Sequence, residues 1–93
     1  MIVSYHDKRT EHFAAGKRVK AFSGIERPAR LKLDRLEAAS MLGDLAALPG
    51  NRFEALAGDR KGQYSIRVND QWRICFVWTE AGPTDVEITK HYQ

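Results

Sequence analysis

The chain has 93 residues, 43% apolar and 29% charged, with 15 Lys and Arg against 12 Asp and Glu for a net charge of +3. That suffices for one domain over 1–93 and leaves no room for a second core. It excludes a bilayer-spanning segment, because no run approaches the roughly 20 apolar residues required, and a single cysteine, Cys75, excludes an internal disulfide or multi-cysteine zinc site.

In chain order, MIVSY (residues 1–5) is short and β-prone and reads as a first strand. The start MIVSYHDKRTEH lacks the basic-then-apolar plan of a signal peptide, so a cytoplasmic protein with no membrane partner is expected. Asp7 is placed to cap a brief helix running to Ala15, with Gly16 ending it and Phe13 as its anchor. Ser23-Gly24-Ile25-Glu26 has the form of a capping box, but Pro28 follows closely. Either that helix begins near Glu26 or its first turn is irregular. Ala29, Leu33, Leu36 and either Ala39 or Ser40 then recur at helical spacing, with Arg30, Asp34, Arg35 and Glu37 elsewhere on the wheel, which predicts an amphipathic helix lying on a sheet. Residues 41–48 add a further short turn before Pro49-Gly50.

The second half reads as consecutive strands. Residues 52–57 form one whose facing is mixed, because Phe53 and Leu56 have opposite parity; a polar loop from Gly58 to Gly62 follows, carrying Arg60 and Lys61. From Tyr64 onward one alternating set is apolar (Tyr64, Ile66, Val68, Trp72, Ile74, Phe76, Trp78), and the other is Ser65, Arg67, Arg73, Cys75 and Val77. The two apolar sets share a face only if facing residues have equal parity. A three-residue loop, Asn69-Asp70-Gln71, achieves this by pairing Val68 with Trp72, whereas a two-residue turn would set Val68 against Gln71. Arg67 then faces Arg73. Ala81-Gly82-Pro83 turns the chain into a last strand, residues 85–89, with Val86 and Ile88 inward and Glu87 and Thr89 outward. The expected fold is α+β: an N-terminal strand and two to three helices packed on one face of a twisted antiparallel sheet, in the order β-α-α-β-β-β-β.

Two arginines facing each other across a strand pair are destabilising unless they splay into solvent, meet carboxylates or receive an anion. Parity carries His91 to their face, with Tyr92 beside it in sequence, if the last strand stays extended. A histidine, a tyrosine and arginines on an open sheet face suit RNA cleavage by internal transfer without a metal or other cofactor. The ribose 2′-hydroxyl attacks the adjacent phosphorus, the 5′-oxygen departs, His91 moves a proton, and Arg73 and Arg67 offset the extra negative charge. Tyr92 can orient the hydroxyl or stack on a base. Nine of the 15 basic residues lie between His6 and Arg35 against four acids, which suits either a solvated helix surface or a polyanionic partner. Cys75 reads as a small strand residue rather than a nucleophile.

The chain resembles the HigB family of bacterial toxins, the plasmid maintenance system killer proteins within the RelE/ParE superfamily. Pro49-Gly50-Asn51-Arg52, Leu56-Ala57-Gly58-Asp59-Arg60, the run from Gly62 through Phe76, and Val86-Glu87-Ile88 before Lys90-His91-Tyr92 carry the likeness over essentially the whole length. The resemblance implies a RelE-like fold and a metal-independent RNase that cuts mRNA in the ribosomal A site. It also implies a HigA-type helix-turn-helix antitoxin, with operator DNA bound only through the antitoxin complex. By position Arg73 matches the family's phosphate-contacting arginine and Arg60 its basic loop position, so Arg73, His91, Tyr92 and Arg67 are the expected catalytic residues. Arg60, Lys61, Lys90 and Gln71 are the expected RNA contacts. The chain departs from the family at Ala57, where some members carry a catalytic lysine. It departs again at its end, where Lys90-His91-Tyr92 replaces Asp-Tyr-His and is closer to the terminal His-Tyr of YoeB toxins. The alternatives are a ParE-like protein that inhibits gyrase by binding, and a catalytically weakened module that binds antitoxin and DNA.

Overall fold

A computed structural model of the chain describes residues 1–90. Three helices, α1 (Lys8–Ala14), α2 (Glu26–Ala38) and α3 (Leu42–Ala46), precede four strands, β1 (Glu54–Ala55), β2 (Tyr64–Arg67), β3 (Trp72–Thr79) and β4 (Gly82–Lys90). The strands form one antiparallel sheet in the order β1-β2-β3-β4. The helices cover one face, where Phe13, Ala29, Leu33, Leu36 and Leu45 meet Ile66, Ile74, Phe76, Val86 and Ile88 in a single cluster.

α1 forms for local reasons. The Asp7 carboxylate accepts the Thr10 amide at 2.9 Å, and Gly16 takes the left-handed φ of 92° that ends the helix. The buried Thr10 hydroxyl then accepts the Ile88 amide at 3.1 Å, fastening α1 to β4. Asp7→Ala is therefore expected to lower stability by about 1 kcal/mol in a urea titration. Arg30 spans from α2 to the end of α1: its guanidinium lies 4.3 Å from the Phe13 ring centroid and donates to the carbonyls of Phe13 and Ala14.

Four local expectations are corrected. Residues 1–5 are not a strand but an extended segment bridged to β4 in parallel, Tyr5 beside Val86, with the Val3 amide donating to Pro83 and the His6 amide to Val86. The Ser23 capping box does not form. Ile25 is the residue before α2, without a side-chain cap, and Pro28 lies in the first turn, where its missing amide is harmless. Residues 52–57 contribute only the two-residue β1, because Arg52 is held at φ 43° after the 3-10 turn Pro49–Asn51. Finally, the turn before β4 is Glu80-Ala81, and Gly82 and Pro83 are already paired with Thr79 and Trp78. Gly82 has φ 125°, and a Cβ there would collide with the Met1 carbonyl. A further 3-10 turn, Lys20–Phe22, was not foreseen; it carries the fully buried Phe22.

The strand register is as expected from parity. Val68 donates to the Trp72 carbonyl at 2.9 Å, and Arg67 pairs with Arg73. Asn69 builds the loop, its side-chain oxygen accepting the amides of Gln71 and Trp72 at 2.8 Å each.

Candidate active site

The sheet face away from the helices carries two rows of side chains across the strands. Glu54, Ser65, Cys75 and Glu87 stand in one row, and Arg67, Arg73 and Thr89 in the next. The face is less open than alternation implied, since Ser65 and Cys75 are both buried. Two arginines bond to residues of the first row. Arg73 donates from Nε to the Ser65 hydroxyl at 2.8 Å and from Nη2 to the Arg52 carbonyl at 2.8 Å, and pairs with Glu54 at 3.1 Å. Arg60, from the 3-10 turn Gly58–Arg60, reaches Glu87 at 3.2 Å and Gln63 at 3.0 Å.

Arg73 is thus held in a set orientation. The left-handed Arg52 backbone turns a carbonyl toward it. Arg67 bonds Asp70 in the adjoining loop, whose carboxylate is 92% exposed and so readily exchanged for another anion. The facing pair therefore avoids repulsion by leaning apart, each arginine toward its own carboxylate.

The remaining expected residues divide. Arg60 belongs to the arginine face but is committed to Glu87 and Gln63. Lys61 and Gln71 are exposed in the loops at opposite ends of β2. Lys90 lies on the other face: it pairs with Trp72 and its ammonium stands 5.5 Å from that ring, which the Arg9 guanidinium also approaches at 6.0 Å. The structure does not bring it to the arginine rows. His91 and Tyr92 lie outside the described residues. Sequence reasoning missed Ser65, Glu54 and the Arg52 carbonyl as partners of Arg73. Ser65 was within reach of it, as a diagonal cross-strand neighbour of Arg73 once the register is known.

Cys75 lies beneath these charges. Burial foremost, reinforced by Glu87 and Glu54 and opposed by Arg60 and Arg73, pushes its thiol up to about 11. The thiol is thus neutral at physiological pH and no nucleophile. A thiol reagent at pH 8 is expected to leave native protein unlabelled and to label it stoichiometrically in denaturant. The sign for stability follows. The unfolded thiol ionises first, so the contribution of the buried neutral thiol is complete below about pH 8.5 and is lost as pH climbs toward about 11.

A buried side chain that buttresses an arginine, a second arginine facing it and a helix layer behind the sheet are what the fold presents for phosphate chemistry. The same fold occurs in the YoeB-YefM complex from Staphylococcus aureus, with a TM-score of 0.64 and 19% identity over 99% of this chain and 97% of that chain. It occurs also in a YoeB/ParE toxin from Agrobacterium tumefaciens, with a TM-score of 0.58 and 19% identity over 98% of each chain. The fold is thus one shared with these YoeB-type proteins. Toxin HigB-1 of Vibrio cholerae serotype O1 is 40% identical over 93 residues, covering 98% of both chains. The family model for the HigB-like toxin, described as the RelE-like toxin of type II toxin-antitoxin system HigB, matches residues 3–91. The chain belongs to the HigB-like toxin family, whose members are RelE-like endoribonucleases that act with an antitoxin partner.

Proposed function

We propose that this toxin cuts mRNA in the A site of the ribosome, with Arg73 at the scissile phosphate, and that a HigA-type helix-turn-helix antitoxin neutralises it. The observation that carries the reading is the bracing of Arg73 by Ser65 and the Arg52 carbonyl. A guanidinium fixed in advance can meet charge that develops on a phosphoryl oxygen without reorganising as the reaction proceeds. Glu54 shares that guanidinium, and its carboxylate marks where a phosphate oxygen would sit. Arg67 gives up Asp70 to a second phosphate oxygen. His91 moves the proton and Tyr92 orients the nucleophilic ribose. Arg60, bound to Glu87 and Gln63, supports the face rather than meeting RNA.

Ala57 supplies no ionisable group where some relatives carry lysine, so proton transfer falls largely to His91. A site with so few groups gains most from a partner that holds the attacking oxygen in line. That is the physical reason to expect dependence on the ribosome. In a reconstituted translation reaction, mRNA should break at fixed codon positions, and free RNA of the same sequence should be cut far more slowly. Intact mRNA on ribosomes, or equal cleavage of free RNA, would refute this reading. Antitoxin pairing is checked by co-purification with the product of the adjoining reading frame.

A further inference from the structure

Lys32 is 7% exposed, yet none of the ion pairs among the described residues includes it. Its ammonium donates instead to the Gly50 carbonyl at 2.9 Å and to the Asn51 side-chain oxygen at 2.8 Å. Arg35, one turn further along α2, brings Nη1 within 3.5 Å of the same oxygen. Asn51 is itself fully buried, and its amide nitrogen donates to the Leu45 carbonyl at 3.1 Å, which fixes the direction of that oxygen. Burial foremost, then the charges of Arg35 and Arg67, lower the Lys32 pKa, so both arginines lie in its field.

These groups surround one turn. Residues 49–51 separate α3 from Arg52, whose side chain is exposed and whose carbonyl holds Arg73. Lys32, Arg35, Arg52, Arg67 and Arg73 therefore gather at one end of the sheet, and the carboxylates paired with them are Glu54 and Asp70. Gly50 is exposed, and a Cβ there would stand 3.7 Å from the Lys32 ammonium, so the missing side chain keeps cover off the buried charge. Unbalanced like charges around a desolvated lysine oppose folding. A polyanion laid along this edge would offset them.

We propose that Arg35, backed by buried Lys32 and flanked by Arg67, forms a second phosphate position that holds an RNA phosphodiester neighbouring the one at Arg73. Naming the ligand as RNA rests on the nuclease reading; the convergence of cations on Asn51 does not. Arg35, which is half-buried, supplies the donor that reaches solvent. Lys32 supplies charge from behind and keeps the 49–51 turn in place.

The test is binding of a short single-stranded RNA with 2′-O-methyl riboses, which cannot be cleaved by internal transfer, followed by fluorescence anisotropy over a range of salt. Arg35→Gln is expected to weaken binding of all sequences alike and to reduce the slope of log K against log salt by about 0.7, the loss of one single-strand phosphate contact. Arg35→Lys, which keeps the charge, is expected to retain the slope. Glutamine and lysine both suit a helix, and thermal melts confirm that each variant is folded. A wild-type slope in Arg35→Gln, or no saturable binding by the wild-type protein at low salt, overturns the proposal. Cleavage on programmed ribosomes is measured alongside. If mRNA stays whole while Arg35→Gln still lowers the slope, the nuclease reading fails and the phosphate position stands. If mRNA is cut and the slope is unchanged, the reverse holds.

Discussion

Replacing Arg73 with glutamine is expected to lower the single-turnover rate of mRNA cleavage on programmed ribosomes by about 10²–10³-fold, the usual consequence of deleting one fixed donor to a developing oxyanion. Glutamine removes the charge and the planar fork together. The effect should fall on the rate more than on half-saturation, because other cations still hold the RNA. Arg73→Lys should recover little, since a lysine ammonium cannot meet the Ser65 hydroxyl, the Arg52 carbonyl and a phosphate oxygen at once. The stability of both variants should stay near that of the wild type, as measured by urea titration. Glu54 is 55% exposed and is left without a buried unpaired charge when its partner goes. Cleavage at the wild-type rate in Arg73→Gln would remove this arginine from the chemistry.

Phe22→Ala is expected to be the most destabilising single change away from the arginine face. Phe22 is completely buried, and its ring meets Phe13 of α1 and Trp72 of β3 edge-on, with centroids 5.5 Å away in both cases. The Arg9 guanidinium lies 5.1 Å from its centroid. One side chain thus joins the first helix to the central strand. Truncation should cost about 3–5 kcal/mol, against a total of about 5–14 kcal/mol for a domain of this length. The denaturation midpoint should drop accordingly, and the near-ultraviolet signal of Trp72 should weaken before global unfolding. Because Trp72 precedes Arg73 in β3, cleavage should also decline at temperatures where the variant is still mostly folded. A shift under about 1 kcal/mol would show that the helices dock independently of this ring.

Local chemistry made much of the fold legible. Alternation from Tyr64 to Trp78 and the odd-length loop at Asn69–Gln71 determine both the buried face and the pairing of Arg67 with Arg73. Asp7 and Gly16 bound the first helix through hydrogen bonds and dihedrals that depend on near neighbours. The extended first segment, the 52–57 strand and the Ser23 cap were misjudged for one shared reason. Propensity proposes an extended or capped conformation, but whether a ladder continues depends on what lies beside it. Residues 1–5 find only the outer edge of β4, and Arg52 bends away to serve Arg73.

The sequence by itself determined the α+β class, the face on which the arginines stand, the register that opposes them and the family to which the chain is similar, because each depends on spacing along the chain. Tertiary structure alone decided that Ser65 and the Arg52 carbonyl brace Arg73 while Glu54 shares it. It alone decided that Arg60 turns to Glu87 and that Lys32 is buried among cations. Those outcomes require segments distant in sequence to meet. A charged side chain's partner is set by which strand or turn arrives beside it, and no periodicity along the chain encodes that arrival.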